Sequence, residues 1–253
     1  MAFVSGRQEM PHPWAIAWGN WLFKYRNTVF PLVMLVLFLL FKPVMAGGNA
    51  ASDFQYDLAG LMVSSLGQLL RVMVIGLVYI KRGGFKKRVY AEQLVTEGIF
   101  AHVRNPLYLG NLLILAGLFI IENNPWAYVI GGLFFICAYK SLVVAEEAFL
   151  LQKFPGSYRE YCGRVNRWLP DFHGLAETLH CAKFNWRRVL LKDYSSCYTW
   201  VMTALALLYY EAAAYRGLRL PGPRAHGLLA AAAIASAIFL VLRYLKKSRT
   251  MRA

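Results

Sequence analysis

Six apolar runs, most of them nearly as long as a bilayer is thick, leave this chain few architectures. Runs at 29–45, 58–80, 106–121, 125–145, 198–215 and 226–245 approach the roughly 20 residues with which a helix crosses about 30 Å of hydrocarbon. In lipid every backbone polar group must be satisfied internally, so runs of this kind become helices. The expectation is an all-α polytopic bundle of about six transmembrane helices, with Asn123-Asn124-Pro125 joining the third and fourth as a tight hairpin. Composition agrees: 16% of the residues are charged, against about 25% in soluble domains. Because the first long run begins only at Val29 and continues as a full span, no cleaved secretory leader is expected.

The formal charge of +15 is unevenly placed. Segment 81–105 holds six Lys and Arg, segment 146–197 eight and the tail from Arg243 five, while loop 42–57 holds one and loop 121–125 none. Basic residues stay on the cytoplasmic side, so both termini and both long loops are expected in the cytoplasm, in a bacterial inner membrane or an endomembrane. Loop 216–225, with Arg216, Arg219 and Arg224, runs against that pattern. The basic residues flank membrane helices and form no separate domain, which points to anionic lipid headgroups and away from nucleic acid. Ahead of the first span Trp14, Trp18, Trp21 and Tyr25 share one helical face with Lys24 and Arg26 nearby. Such a face suits an interfacial helix or an aromatic belt. The expected organisation is an interfacial segment over 1–28, two spans over 29–80, a core over 81–170, and a connector with two further spans over 171–253.

Four scattered cysteines show no C-x-x-C spacing, and the five histidines show no ligand spacing, so no metal centre is expected. The unusual residues lie in the polar segments. Asn105 and Pro106 have the chemistry of an N-cap and a first helical residue. A helix start also presents unpaired amides that suit an electron-rich ligand group, and Gly98 and Gly110 would allow close approach. Within the span 58–80, Ser64, Gln68 and Arg71 fall on one face. An arginine at that depth faces a polar cavity or a partner. Arg71 therefore either lines a substrate tunnel and holds an acidic headgroup, or bridges internally to Glu211 or a backbone carbonyl.

The stretch LVTEGIFAHVRNPLYLG at 94–110, the pair Glu146-Glu147 and the stretch FPGSYREYCGRVNRWLP at 154–170 together resemble the isoprenylcysteine carboxyl methyltransferase and phospholipid methyltransferase family. The resemblance covers roughly 85–170 and implies an integral membrane methyltransferase that uses S-adenosylmethionine. By it, Gln93, Leu94, Val95 and Gly98 would line the cofactor, and Phe100 would stand against it. Arg104, Asn105, Pro106, Leu107 and Tyr108 would make the helix-start contacts, and Glu146 corresponds to the family's cofactor-binding glutamate. Tyr158 and Tyr161 would form a lid or packing pair over the same pocket. Glu147 and His102 are the candidate bases should the acceptor be an amine; a carboxylate or phosphate oxygen needs none. Asn105 stands where the family has a His, and Leu142 stands where prenylcysteine methyltransferases carry an Arg for the substrate carboxylate, which speaks against a prenylcysteine acceptor. The expected function is methyl transfer to a lipid or lipidated acceptor entering from the bilayer. A nicotinamide-dependent membrane reductase and a non-catalytic membrane subunit are the alternatives.

Overall fold

The computed structural model describes residues 12–77, 89–181, 183–215 and 223–248, and over these the chain forms nine α-helices. They are α1 (Pro13–Leu40), α2 (Ala50–Leu77), α3 (Pro106–Glu122), α4 (Pro125–Lys153), α5 (Pro155–Arg164), α6 (Leu175–Cys181), α7 (Trp186–Lys192), α8 (Tyr194–Tyr215) and α9 (Pro223–Lys247). The last three residues of the expected span 58–80, the basic residues from Lys81 to Arg88, and residues 216–222 lie outside the described residues.

Four helices are long and apolar enough to cross a membrane: α1, α2, α4 and α9. Of the other two expected spans, α3 is a shorter apolar helix of 17 residues, about 25 Å at 1.5 Å per residue. The other, α8, carries Ser, Thr, Tyr and Glu211 along its length and is not among the four. Helix boundaries also move. The expected interfacial segment and first span are one continuous helix, α1, with Trp14, Trp18, Trp21 and Tyr25 exposed along it. Helix α2 begins at Ala50 and α4 continues to Lys153, so Glu146 and Glu147 lie well inside α4 and not at its end. Hydropathy marks the part of a helix that lies in lipid, whereas helical hydrogen bonding continues past the headgroups.

The turn between α3 and α4 follows its sequence closely. Asn123 takes a left-handed conformation (φ 48°) as the C-cap of α3, and the Asn124 side chain accepts the amides of Trp126 and Ala127 at the start of α4. Even so, α3 packs chiefly on α2, and α4 chiefly on α1. The α2–α3 seam is built from glycines seven residues apart on antiparallel helices. A Cβ on Gly60 would lie 2.6 Å from the Gly117 carbonyl oxygen, and one on Gly67 2.5 Å from that of Gly110. Lipid tails are as apolar as leucine, so helices in a bilayer associate by close backbone approach, which small residues permit. On the other side of the bundle, Leu22, Phe23 and Phe38 of α1, Phe119 of α3, Phe135 and Leu142 of α4 and Leu207 of α8 form the main apolar core.

Arg71 projects from α2 across this seam, and Gly110 leaves room for its stem: a Cβ there would meet Arg71 Cγ at 2.8 Å. Its guanidinium donates to Asn111 Oδ1 (2.5 Å) and pairs with Asp193, which also accepts from Gln68 Nε2 at 2.6 Å. Asp193 separates α7 from α8 and is 1% exposed. The partner of Arg71 is thus Asp193, not Glu211. Ser64 is fully buried against Gly117, so the stripe Ser64, Gln68, Arg71 lines a helix seam and not a substrate tunnel. Buried ion pairs are costly to break from one side.

Two outcomes follow from this packing. Gly117→Ala should lower stability by about 1–3 kcal/mol through overpacking, read as a lower thermal midpoint in detergent. Gly132→Ala, where a Cβ would meet nothing within 4 Å, should leave the midpoint unchanged or raise it slightly. Asp193→Leu should cost about 3–5 kcal/mol by stranding Arg71. Adding Arg71→Met should recover much of that loss; if the double variant melts no higher than the single, the pair is not what holds the connector to α2.

Candidate active site

Pro106 opens α3 as its first residue, as expected, but Asn105 is not a side-chain cap. Its amide instead donates to the Arg167 carbonyl at 3.3 Å, tying the helix start to the loop after α5. No side chain caps the first amides of α3. One turn in, the Tyr108 hydroxyl donates to Glu146 Oε1 at 2.9 Å. Tyr108 and Glu146 are 7% and 6% exposed. The two motif segments, far apart in sequence, therefore meet, with the Tyr108 side chain spanning the gap between the α3 start and the carboxylate.

Glu147, the next residue, points to different partners. It accepts from Arg167 Nε (3.0 Å) and Nη2 (2.5 Å) in a fork, and lies 3.4 Å from Arg104 Nη1. Such bidentate charge-assisted pairs are among the stronger polar contacts in proteins. Arg104 is further fixed by its backbone N–H to the Asn166 carbonyl (2.9 Å) and by Nη1 to Cys162 Sγ (2.7 Å). Burial works against its charge, but Glu147, Cys162 and Tyr158 together outweigh that and raise its pKa. Burial, and then Glu147 and Cys162, push the Tyr158 hydroxyl well above the ordinary tyrosine range, so it stays neutral.

Several expected positions pack against other parts of the protein. Phe100 is buried with Val74 and Ile99, and Val95 and Leu107 pack on that same cluster against α2. Leu94 packs with Leu150, Tyr158 and Tyr161, and Gln93 is exposed. Tyr158 and Tyr161 are a buried packing pair and not a lid; the Tyr161 hydroxyl donates to the Phe100 carbonyl at 2.7 Å. Gly110 serves the approach of α2 and Arg71. Gly98 does have a left-handed backbone (φ 63°). It lines a cleft of about 540 Å3 with Thr96, Glu97, Ala101, Tyr161, Arg164 and Val165, within the roughly 300–1,000 Å3 of small-molecule sites. His102 is held on both ring nitrogens, Nδ1 at 2.7 Å from the Asp171 carbonyl and Nε2 at 2.9 Å from Thr178 Oγ1. A histidine clamped in this way fastens α6 and the preceding loop and is a poor base.

Other residues at the site carried no clear signal in the sequence. Arg26, expected beside the interfacial aromatics, turns inward: its Nη1 donates to the Tyr108 hydroxyl at 3.2 Å. The available clue was its offset from Lys24, since two residues apart on a helix means about 200° of rotation. Asp193 and Arg167 gave no clue, because their partners lie in other elements. Asp53, Asp57 and Glu211, all buried, bring carboxylate oxygens within 4.8 Å of one another; they sit on two helices far apart in sequence.

Residues 58–157 match the family described as phospholipid methyltransferase. A protein-S-isoprenylcysteine O-methyltransferase of Schizosaccharomyces pombe is 30% identical over 117 residues, covering 46% of this chain and 50% of that one. The corresponding Tribolium castaneum protein is 32% identical over 123 residues, covering 46% and 42%. A probable one of Oryza sativa subsp. indica is 26% identical over 116 residues, covering 44% and 59%. The chain thus spans about half the length of the curated relatives it matches. No solved structure matches it. The matched segment, from within α2 to the start of α5, contains Tyr108, Glu146 and Glu147, and over it the chain is similar to the phospholipid methyltransferases.

Proposed function

We propose that this chain is an integral membrane methyltransferase that takes S-adenosylmethionine from the cytoplasm and a lipid-like acceptor sideways from the bilayer. The observation that carries this reading is the meeting of the α3 start with Glu146 through Tyr108. The residues present suit such a donor. Its ammonium and sulfonium call for a buried carboxylate, which Glu146 supplies, and its own carboxylate calls for amides at a helix start, which α3 leaves uncapped. The left-handed Gly98 and its cleft give room beside the same polar segment. Bound there, S-adenosylmethionine would supply a methyl group activated on a sulfonium.

The protein's own contribution is position and dryness. Tyr108 fixes the orientation of the Glu146 carboxylate, and the Arg104–Glu147–Arg167 cluster fixes the loop over it. Alignment of reacting atoms in a water-poor site accounts for much of the acceleration available to a displacement of this kind. Glu147 is taken up by two arginines and His102 by two neighbours, so neither serves as a general base. That favours an acceptor oxygen already ionised. The cytoplasmic placement of the site rests on the distribution of Lys and Arg in the loops.

Purified protein in detergent should bind S-adenosylmethionine in calorimetry and transfer labelled methyl groups to a lipid in a total extract. Glu146→Gln should weaken donor binding about 10- to 100-fold, the loss expected for a charge-assisted hydrogen bond, with the thermal midpoint little changed. Failure of the native protein to bind the donor, or binding of NADPH in its place, defeats the reading.

A further inference from the structure

The connector helix α7 and the last turn of α9 meet at one end of the bundle. Lys246 Nζ donates to the Leu191 carbonyl at 2.8 Å and lies 4.8 Å from the centroid of the Tyr194 ring. On its other flank α7 is fastened to α2. The Asn185 amide donates to the Gly76 carbonyl at 2.9 Å, and Arg188 Nη1 to the Ile75 carbonyl at 3.5 Å. The described ends of two helices long enough to span a membrane, α2 and α9, thus lie beside α7. That places this short helix where hydrocarbon gives way to headgroups. Because Gly67 faces Gly110, α2 runs past the α3 start, so this is the end of the bundle that carries Tyr108 and Glu146.

The surface there combines apolar and basic side chains. Val189 and Leu191 of α7 are buried, whereas Trp186 and Leu190, one turn apart, are exposed. Arg187, Lys192, Arg243, Lys246 and Lys247 stand exposed around them. Residues 182–253 hold twelve Lys and Arg and two acids, Asp193 and Glu211. Asp193 is taken up by Arg71 and Gln68, and Glu211 is buried beside Asp53 and Asp57 near the opposite end of α8. The charge of this segment is therefore not balanced from within it. Arg188 and Lys192 are an i, i+4 pair of like sign, which repel on one helix face. Burial, and then Arg188, lower the Lys192 pKa, as held like charges do.

We propose that α7 and the adjoining end of α9 form a docking surface for anionic phospholipid headgroups, with lipid phosphates among the cations and Trp186 and Leu190 at the level of the glycerol and upper chains. Basic clusters beside the end of a spanning helix attract such lipids, and tryptophan settles at that depth. This is narrower than the attraction of any basic loop for an anionic leaflet, because the surface is assembled from two elements far apart in sequence. It lies outside the matched residues 58–157 and does not depend on the methyltransferase reading. Lys192 adjoins Asp193, whose partner Arg71 also holds Asn111 of α3. Lipid seated on α7 thereby bears on the anchor of the helix that opens the candidate active site.

The test is binding of chain-labelled dioleoyl phosphatidylglycerol to the full chain in an uncharged detergent, with chain-labelled dioleoyl phosphatidylcholine as the zwitterionic control. The native protein should prefer the anionic lipid by about 10-fold or more, and the preference should shrink as salt is raised. The triple variant Arg187→Gln, Lys192→Gln, Lys247→Gln should lose about 10- to 100-fold in affinity for phosphatidylglycerol, with phosphatidylcholine binding unchanged. If that variant melts below the native protein, the α9 pair Arg243→Gln, Lys247→Gln decides, with an expected loss of about 3- to 10-fold. Lys24→Gln, Lys140→Gln, Arg159→Gln, which removes as many charges from exposed positions elsewhere, should keep the native affinity. An equal loss in that control means bulk charge attraction and overturns the proposal, as does full affinity in the α9 pair. Displacement of the labelled lipid by inorganic phosphate or by a poly-glutamate peptide as readily as by unlabelled phosphatidylglycerol overturns it too, in favour of a free anion or an acidic protein. S-adenosylmethionine calorimetry on the same native sample keeps the two readings apart, since its failure defeats the methyltransferase and leaves the lipid surface standing.

Discussion

The close approach of α2 and α3 at their paired glycines is the constraint on which the other positions depend. With no hydrophobic force to hold two helices together inside lipid, their separation is set by what lies between them, and here that is backbone against backbone. The seam fixes the height of α3, so that Arg71 of α2 passes over Gly110 and reaches both Asn111 and Asp193. Asp193 in turn ties the α7–α8 junction to the bundle. Because α3 has 17 residues and α4 has 29, the opening turn of α3 meets α4 part-way along, at Glu146, and α4 continues past it for about two turns. The site is thus sunk between a short helix and a long one.

Adjacent acids on one helix divide the work. Successive residues of an α-helix point about 100° apart, so Glu146 and Glu147 address different neighbours from the same turn. Glu147 faces Arg104 and the loop carrying Arg167, and is neutralised there. Glu146 faces the α3 start and accepts a hydrogen bond from the Tyr108 hydroxyl, a different contact from the fork that holds Glu147.

The sequence told most where a local rule applied. The α3 and α4 starts and the Asn-Asn-Pro turn could be read from proline and asparagine, and the pairing of 94–110 with Glu146 was implied by the family resemblance. The sequence told less where a side chain could go two ways. Phe100, Leu94 and Val95 are apolar and lie beside the motif, and their packing against α2 and α5 is long-range and leaves no mark in the local sequence. Arg71 looked available because Asp193 lies 122 residues away in a polar connector, and no periodicity links the two. Arg26 was read with its aromatic neighbours because helical facing alone does not reveal which face meets protein and which meets lipid.

Asn105 holds the start of α3 as a donor and not as a cap. Its side chain works as a donor, holding the Arg167 carbonyl, and the Arg167 side chain grips Glu147 in the neighbouring helix. The position thereby locks the loop after α5 to the start of α3. An imidazole N–H can make the same donation, and so can an amide; what the amide lacks is a titration near neutral pH. With Glu147 held by Arg104 and Arg167 and His102 bonded through both ring nitrogens, these polar residues hold the geometry around the α3 start.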